Sequence, residues 1–186
     1  MPSRLNISNA LTLLRILLAP AFVFLVIYGM SFAALMVFIA AGITDLLDGF
    51  LARRFKLKTE LGARLDPVSD QILFVSAFIV LAIKGWVPLF LLVLAILRDI
   101  TVMAGYLSIK RKNRGFRFAP SVYGKVSTVF QAITVISATI LAGVPFVPFT
   151  VLTYLTAAFI IYSGLDYSLK WIKGQRVGRG DKGGGI

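Results

Sequence analysis

The chain contains no cysteine and no histidine, and only 8 of its 186 residues are acidic against 20 basic ones. Lack of cysteine excludes disulfides and thiolate chemistry, although it says little about compartment. Lack of histidine removes the commonest neutral-pH base, so acid–base chemistry falls to carboxylates, Lys, Tyr or water. Polar helix surface is scarce as well. The mean hydropathy is +0.87 and 58% of residues are hydrophobic. A soluble helical core is therefore disfavoured, because little of the chain remains to face water.

What is abundant is apolar sequence in runs of bilayer-spanning length, for which about 20 residues suffice. The runs and their punctuation (YGMS, KGWVP, AGVPFVPF) predict six helices, at about 8–27, 32–53, 65–83, 88–109, 122–141 and 148–171. The expected fold is an all-α integral membrane protein with six transmembrane helices, forming one catalytic domain over residues 1–172. Residues 173–186 read as a basic, glycine-rich, flexible tail. The first run lacks a convincing cleavage site and is expected to remain as a transmembrane helix rather than act as a signal peptide.

The net charge of +12 is unevenly distributed. Arg4, the stretch RRFKLK at 53–58, KRKNRGFR at 110–117, and Lys170, Lys173, Arg176, Arg179 and Lys182 all fall on one side of alternating helices. Lys84 stands almost alone on the other. Basic residues concentrate on the cytoplasmic face, which predicts both termini there, in a bacterial-type inner (plasma) membrane. The basic loops serve topology first, with anionic headgroups or an anionic substrate as further partners. No nucleic-acid-binding module is visible.

Four of the few acidic residues, Asp45, Asp48, Asp66 and Asp70, lie within TDLLDGFLARRFKLKTELGARLDPVSD. Spacings of three and four put each pair on one helix face, near the cytoplasmic ends of adjacent helices. Carboxylates brought together there repel unless a cation intervenes, and Mg²⁺ or Mn²⁺ takes oxygen ligands and phosphates together. Two such ions would clamp a phosphoryl group. A helix cap or an ion pair with Arg53 explains one aspartate but not four, since carboxylates at membrane depth are costly. An ion or proton pathway explains the charges but not their clustering at one face. Gly49, Ala52 and Gly62 allow close approach of a ligand or of a packed helix. Arg53 suits either a phosphate or a salt bridge.

The run DLLDGFLAR (45–53), followed by GARLDPVSD (62–70), resembles the signature of the CDP-alcohol phosphatidyltransferase family, with eight fixed residues in register. The likeness extends over about residues 4–172. It implies transfer of a phosphatidyl group from CDP-diacylglycerol to an alcohol with release of CMP. Carried over, Asp45, Asp48, Asp66 and Asp70 are ligands of Mg²⁺ or Mn²⁺, two ions per site, and Asp70 is also the general base. Gly49, Ala52, Arg53 and Gly62 receive the cytidine diphosphate. The site would face the cytoplasm, with the diacyl tails remaining among the membrane lipids. The resemblance also implies a homodimer. No Ser, Thr or Lys stands out as a nucleophile, which favours direct attack by the alcohol.

Two further segments bear on the acceptor. NISNALTLLR (6–15) resembles the opening of phosphatidylglycerophosphate synthases and of cardiolipin synthases of this superfamily. Asn9 and Thr12 are thereby expected at the nucleotide, and Arg15 at the acceptor or phosphates. Helix initiation by the asparagines and snorkelling of Arg15 are the structural alternatives. RDITVMAGY (98–106) and PSVYGKVSTVFQ (120–131) resemble the acceptor-binding segments of phosphatidylglycerophosphate synthases. Arg98 and Lys125 match, whereas Tyr106 stands where a second arginine is expected. Glycerol 3-phosphate is the first expected acceptor, phosphatidylglycerol the second and another head group the third. A non-catalytic lipid-binding or ion-conducting bundle is the alternative of a different class.

Overall fold

The computed structural model describes the backbone of residues 7–55, 62–112 and 122–180, and the side chains of residues 14–44, 71–104 and 122–169. Six helices account for nearly all of it: α1 (Ile7–Ile27), α2 (Ser31–Phe55), α3 (Gly62–Ile83), α4 (Leu89–Lys112), α5 (Val122–Leu141) and α6 (Val147–Gly180). All six expected helices are present. α6 continues nine residues past the expected end at Trp171, so the helix enters the stretch read as a tail. Glycines at 174, 178 and 180 cost helix stability, at about 1 kcal/mol each relative to alanine, but no proline follows to stop it.

The helices fall into two units, Met1–Pro88 with Val135–Phe146, and Leu89–Thr134 with Val147–Ile186. In the first, α1 packs against both α2 and α3. Gly29, at φ +75°, ends α1. Its amide donates to the Val26 carbonyl (3.1 Å) and that of Met30 to the Leu25 carbonyl (2.9 Å). A left-handed residue is what this helix stop requires, and glycine adopts it without a Cβ penalty. The turn is so short that α2 must run antiparallel to α1. Lys84 Nζ donates to the Ile27 carbonyl at 2.9 Å, bringing the C-terminal ends of α1 and α3 together. α3 therefore runs parallel to α1. Between them Phe38 meets Phe22 (ring centroids 5.6 Å) and Phe74 (5.7 Å).

In the second unit α4 packs on α6, with Phe90 stacked on Tyr154 at 5.9 Å. Phe130 of α5 stacks on Phe159 of α6 at 4.4 Å. One turn further along α5, the hydroxyls of Thr134 and Thr156 are 2.8 Å apart, both fully buried. Replacing Thr134 with Val keeps its shape and removes this interhelical bond. The expected cost is about 0.6 kcal/mol, the average for polar contacts between membrane helices, measured as a shift in the detergent-unfolding midpoint.

Several polar groups are drawn into a mainly apolar interior, while large apolar side chains face outward. Arg15, Ser127, Gln131, Thr134, Thr139, Thr153, Thr156 and Ser163 are buried, while Phe32, Ile83, Leu89, Val122, Ile140 and Val147 are each more than 60% exposed. Hydroxyls are satisfied on their own helices: Thr44 bonds the Ala40 carbonyl, Thr101 that of Leu97, Thr139 that of Val135 and Ser168 that of Gly164. Val122–Leu141 and Val147–Leu169 are long and apolar enough to cross a membrane. Leu14–Ile27, Ser31–Thr44 and Gln71–Ile83 are shorter apolar stretches among the described residues.

Candidate active site

All four signature aspartates lie on regular helix: Asp45 and Asp48 on α2, Asp66 and Asp70 on α3. Gly49, Ala52 and Arg53 continue α2, and Gly62 is the first residue of α3. The side chains of residues 45–70 lie outside those described. Backbone register nevertheless relates the two pairs. Counting seven residues along α2 from Phe38 reaches Asp45, and seven back along the antiparallel α3 from Phe74 reaches Pro67, between Asp66 and Asp70. At 1.5 Å per residue both segments lie about 10 Å from the Phe38 level, in the same direction. The aspartates thus belong to one end of the first unit.

The same count along α1 from Phe22 reaches Arg15, level with Asp45. Arg15 is 1% exposed. It does not snorkel; its guanidinium is enclosed by protein. Burying a cation is costly unless charges and hydrogen bonds compensate it, and the carboxylate-bearing ends of α2 and α3 lie at its level. Asn9 and Thr12 precede it on α1, with side chains outside those described.

The second unit carries Arg98 and Lys125. Arg98 Nη1 contacts Asp99 Oδ1 at 2.8 Å, with both side chains largely buried. Nη2 donates to the Gly124 carbonyl (3.3 Å) and Nε to Ser163 Oγ (3.5 Å). Thr128 Oγ1 donates to the same Gly124 carbonyl at 3.0 Å, and Gln131 Nε2 to Ser127 Oγ at 3.1 Å. Lys125 is exposed. Ser163 and the buried Tyr167 on α6 escaped the sequence reading: they lie far along the chain from the RD and GK segments and carry no motif of their own. The side chain of Tyr106 lies outside those described.

Among the described residues, no three His, Cys, Asp or Glu side chains group to hold a metal. The expected ligands are not among those residues. What their positions offer is an all-oxygen donor set at helical spacing on two antiparallel helices, which suits a hard divalent cation.

A family model described as CDP-alcohol phosphatidyltransferase matches residues 5–166. The chain belongs to the CDP-alcohol phosphatidyltransferase family. The match takes in α1 to α5 and most of α6, and includes both aspartate pairs. Among relatives of this phosphatidyltransferase, a probable phosphatidylglycerophosphate synthase of Mycobacterium tuberculosis is 32% identical over 170 residues, covering 87% of this chain and 79% of the relative. The CDP-diacylglycerol–glycerol-3-phosphate 3-phosphatidyltransferase of Aquifex aeolicus is 34% identical over 178 residues, covering 91% and 97%. A fission-yeast (Schizosaccharomyces pombe) cardiolipin synthase (CMP-forming)/mitochondrial hydrolase fusion protein is 32% identical over 202 residues, covering 96% of this chain and 33% of that protein. Family membership makes the chain a transferase.

Proposed function

We propose that this transferase moves the phosphatidyl group of CDP-diacylglycerol to sn-glycerol 3-phosphate and releases CMP. The observation that carries this reading is the full aspartate signature borne on α2 and α3, with both pairs at one end of the first unit. Near-complete coverage of a relative bearing the glycerol-3-phosphate name favours that acceptor.

In the reaction, Asp70 accepts the proton of the acceptor hydroxyl. The alcohol oxygen then attacks the phosphorus bearing the diacylglycerol. A phosphodiester forms, the phosphoanhydride bond to CMP breaks, and CMP leaves with the electron pair. A carboxylate base suffices when the alcohol is held beside it. Asp45, Asp48, Asp66 and Asp70 would hold divalent cations, which stabilise developing negative charge on phosphate and leaving group. Gly49, Ala52, Arg53 and Gly62 admit the cytidine diphosphate, with Asn9 and Thr12 supplying polar groups from α1. Arg15 contributes positive charge at the level of the carboxylates. Lys125, exposed and cationic, attracts the phosphate of the acceptor.

The large exposed apolar side chains, with hydroxyl and amide groups drawn inside instead, support a lipid environment for the helices. We propose six membrane crossings, with the basic segments, both termini and the site on the cytoplasmic side of a bacterial-type inner membrane. Residues 1–172 form the catalytic domain and residues 173–186 a basic cytoplasmic extension. Two copies assemble as a homodimer.

A second acceptor has its own support. Tyr106 replaces the arginine that glycerol-3-phosphate enzymes are expected to show, and a cardiolipin synthase fusion is among the relatives. Detergent-purified protein supplied with CDP-diacylglycerol and Mg²⁺ or Mn²⁺ should release CMP with glycerol 3-phosphate and form a phosphatidylglycerophosphate product. Product only with phosphatidylglycerol would make it a cardiolipin synthase. Failure of metal-dependent CMP release with every acceptor would overturn the catalytic reading.

A further inference from the structure

Arg98 lies in α4 between residues 97 and 100, which are both well exposed and apolar. Its three guanidinium nitrogens engage three residues on three helices: Asp99 on α4, Gly124 on α5 and Ser163 on α6. Asp99 adjoins it in sequence and balances its charge at 2.8 Å. The pair has no net charge with which to draw an anion. Lys125, by contrast, presents an exposed positive charge one residue beyond the carbonyl that Arg98 holds.

Gly124 is pinned from a second direction. A Cβ built there would lie 2.6 Å from the Tyr167 hydroxyl oxygen and 2.9 Å from its ring Cε2, so any larger residue would displace the Tyr167 ring. The contact falls in the first turn of α5, which begins at Val122. A largely buried ion pair is seldom the most stabilising solution; apolar residues of equal volume commonly do as well or better. Its geometric value is that a planar fork spanning three helices fixes where one carbonyl sits.

We infer that Arg98, Asp99, Gly124 and Tyr167 form a latch that sets the first turn of α5 and, through it, the direction of Lys125. Arg98 is then a positioning residue rather than a ligand of the acceptor phosphate. The latch rests on the proposed acceptor role of Lys125.

Kinetics of Asp99→Asn separate the two roles of Arg98 by sign. If Arg98 is a latch, removing its counter-charge loosens α5 and raises the acceptor KM, by about tenfold given how steeply rate depends on placement. CDP-diacylglycerol KM should stay within about twofold. If Arg98 grips the acceptor itself, neutralising Asp99 frees it and the acceptor KM falls or holds. Gly124→Ala should raise the acceptor KM as Asp99→Asn does, and the added change Tyr167→Leu, which clears the ring from the new methyl, should restore much of it. Gly124→Ala also carries the comparison if Asp99→Asn does not fold. Lys125→Met is measured alongside, with whichever acceptor is turned over. An unchanged acceptor KM there overturns the acceptor assignment and the latch with it. A raised value there, with no rise in Asp99→Asn and Gly124→Ala, overturns the latch alone.

Discussion

Asp70→Asn is expected to lower turnover by about 10²- to 10⁴-fold, the range that a positioned general base contributes. Asparagine keeps the size of the side chain but accepts no proton at neutral pH, and no histidine exists anywhere in the chain to take over. Another carboxylate cannot substitute without moving, because Asp66 lies one helical turn away on α3. Binding of CDP-diacylglycerol should persist, weakened by the loss of one proposed anionic metal ligand. CMP release and nucleotide-lipid binding, measured on the same preparation, test both halves. Full turnover in Asp70→Asn would sink the general-base assignment. Loss of binding equal to the loss of turnover would make Asp70 a ligand only.

Chelation carries the second large effect. Dialysis against EDTA should reduce CMP release at least about 100-fold, because electrostatic stabilisation of the phosphoryl group is the largest contribution the carboxylates can provide through bound cations. Mg²⁺ or Mn²⁺ should restore it. Helix content by circular dichroism should not change, since the apolar core around Phe22, Phe38 and Phe74 does not depend on the metal. Asp48→Asn should increase the ion concentration needed for half-maximal activity, as one hard anionic ligand is lost from the set. Persistent turnover after exhaustive chelation would refute the metal role.

These two effects concern residues whose significance is written in one short stretch of chain. Local spacing suffices there: three and four residues are one helical turn, so the side chains on each helix share a face wherever the helix sits. The six helices are similarly legible, because apolar runs of bilayer length and glycine or proline punctuation are local properties. Helix ends are less so. The overrun of α6 to Gly180 depends on a balance of small propensities that the glycines alone do not decide.

Arg98 shows where local reading stops. Its motif resembles an acceptor-binding segment, and nothing in that motif shows that its nitrogens meet Asp99, the Gly124 carbonyl and Ser163. The last two lie 26 and 65 residues away. Nor does any pattern around Gly124 reveal that Tyr167 rests against it. Arg15 illustrates the same limit: a lone arginine near the start of an apolar helix reads equally as snorkelling or as buried, and the folded chain encloses it.

The sequence by itself determined the all-helical architecture, the family and the four carboxylates, because hydrophobic periodicity and helical spacing act over a few residues. Only the tertiary structure decided that Phe22, Phe38 and Phe74 bring the two aspartate pairs and Arg15 to one level, and that Arg98 holds α5 through Gly124. Those facts depend on which helix faces meet, and contacts between distant segments are fixed by packing of the whole helix rather than by any local pattern.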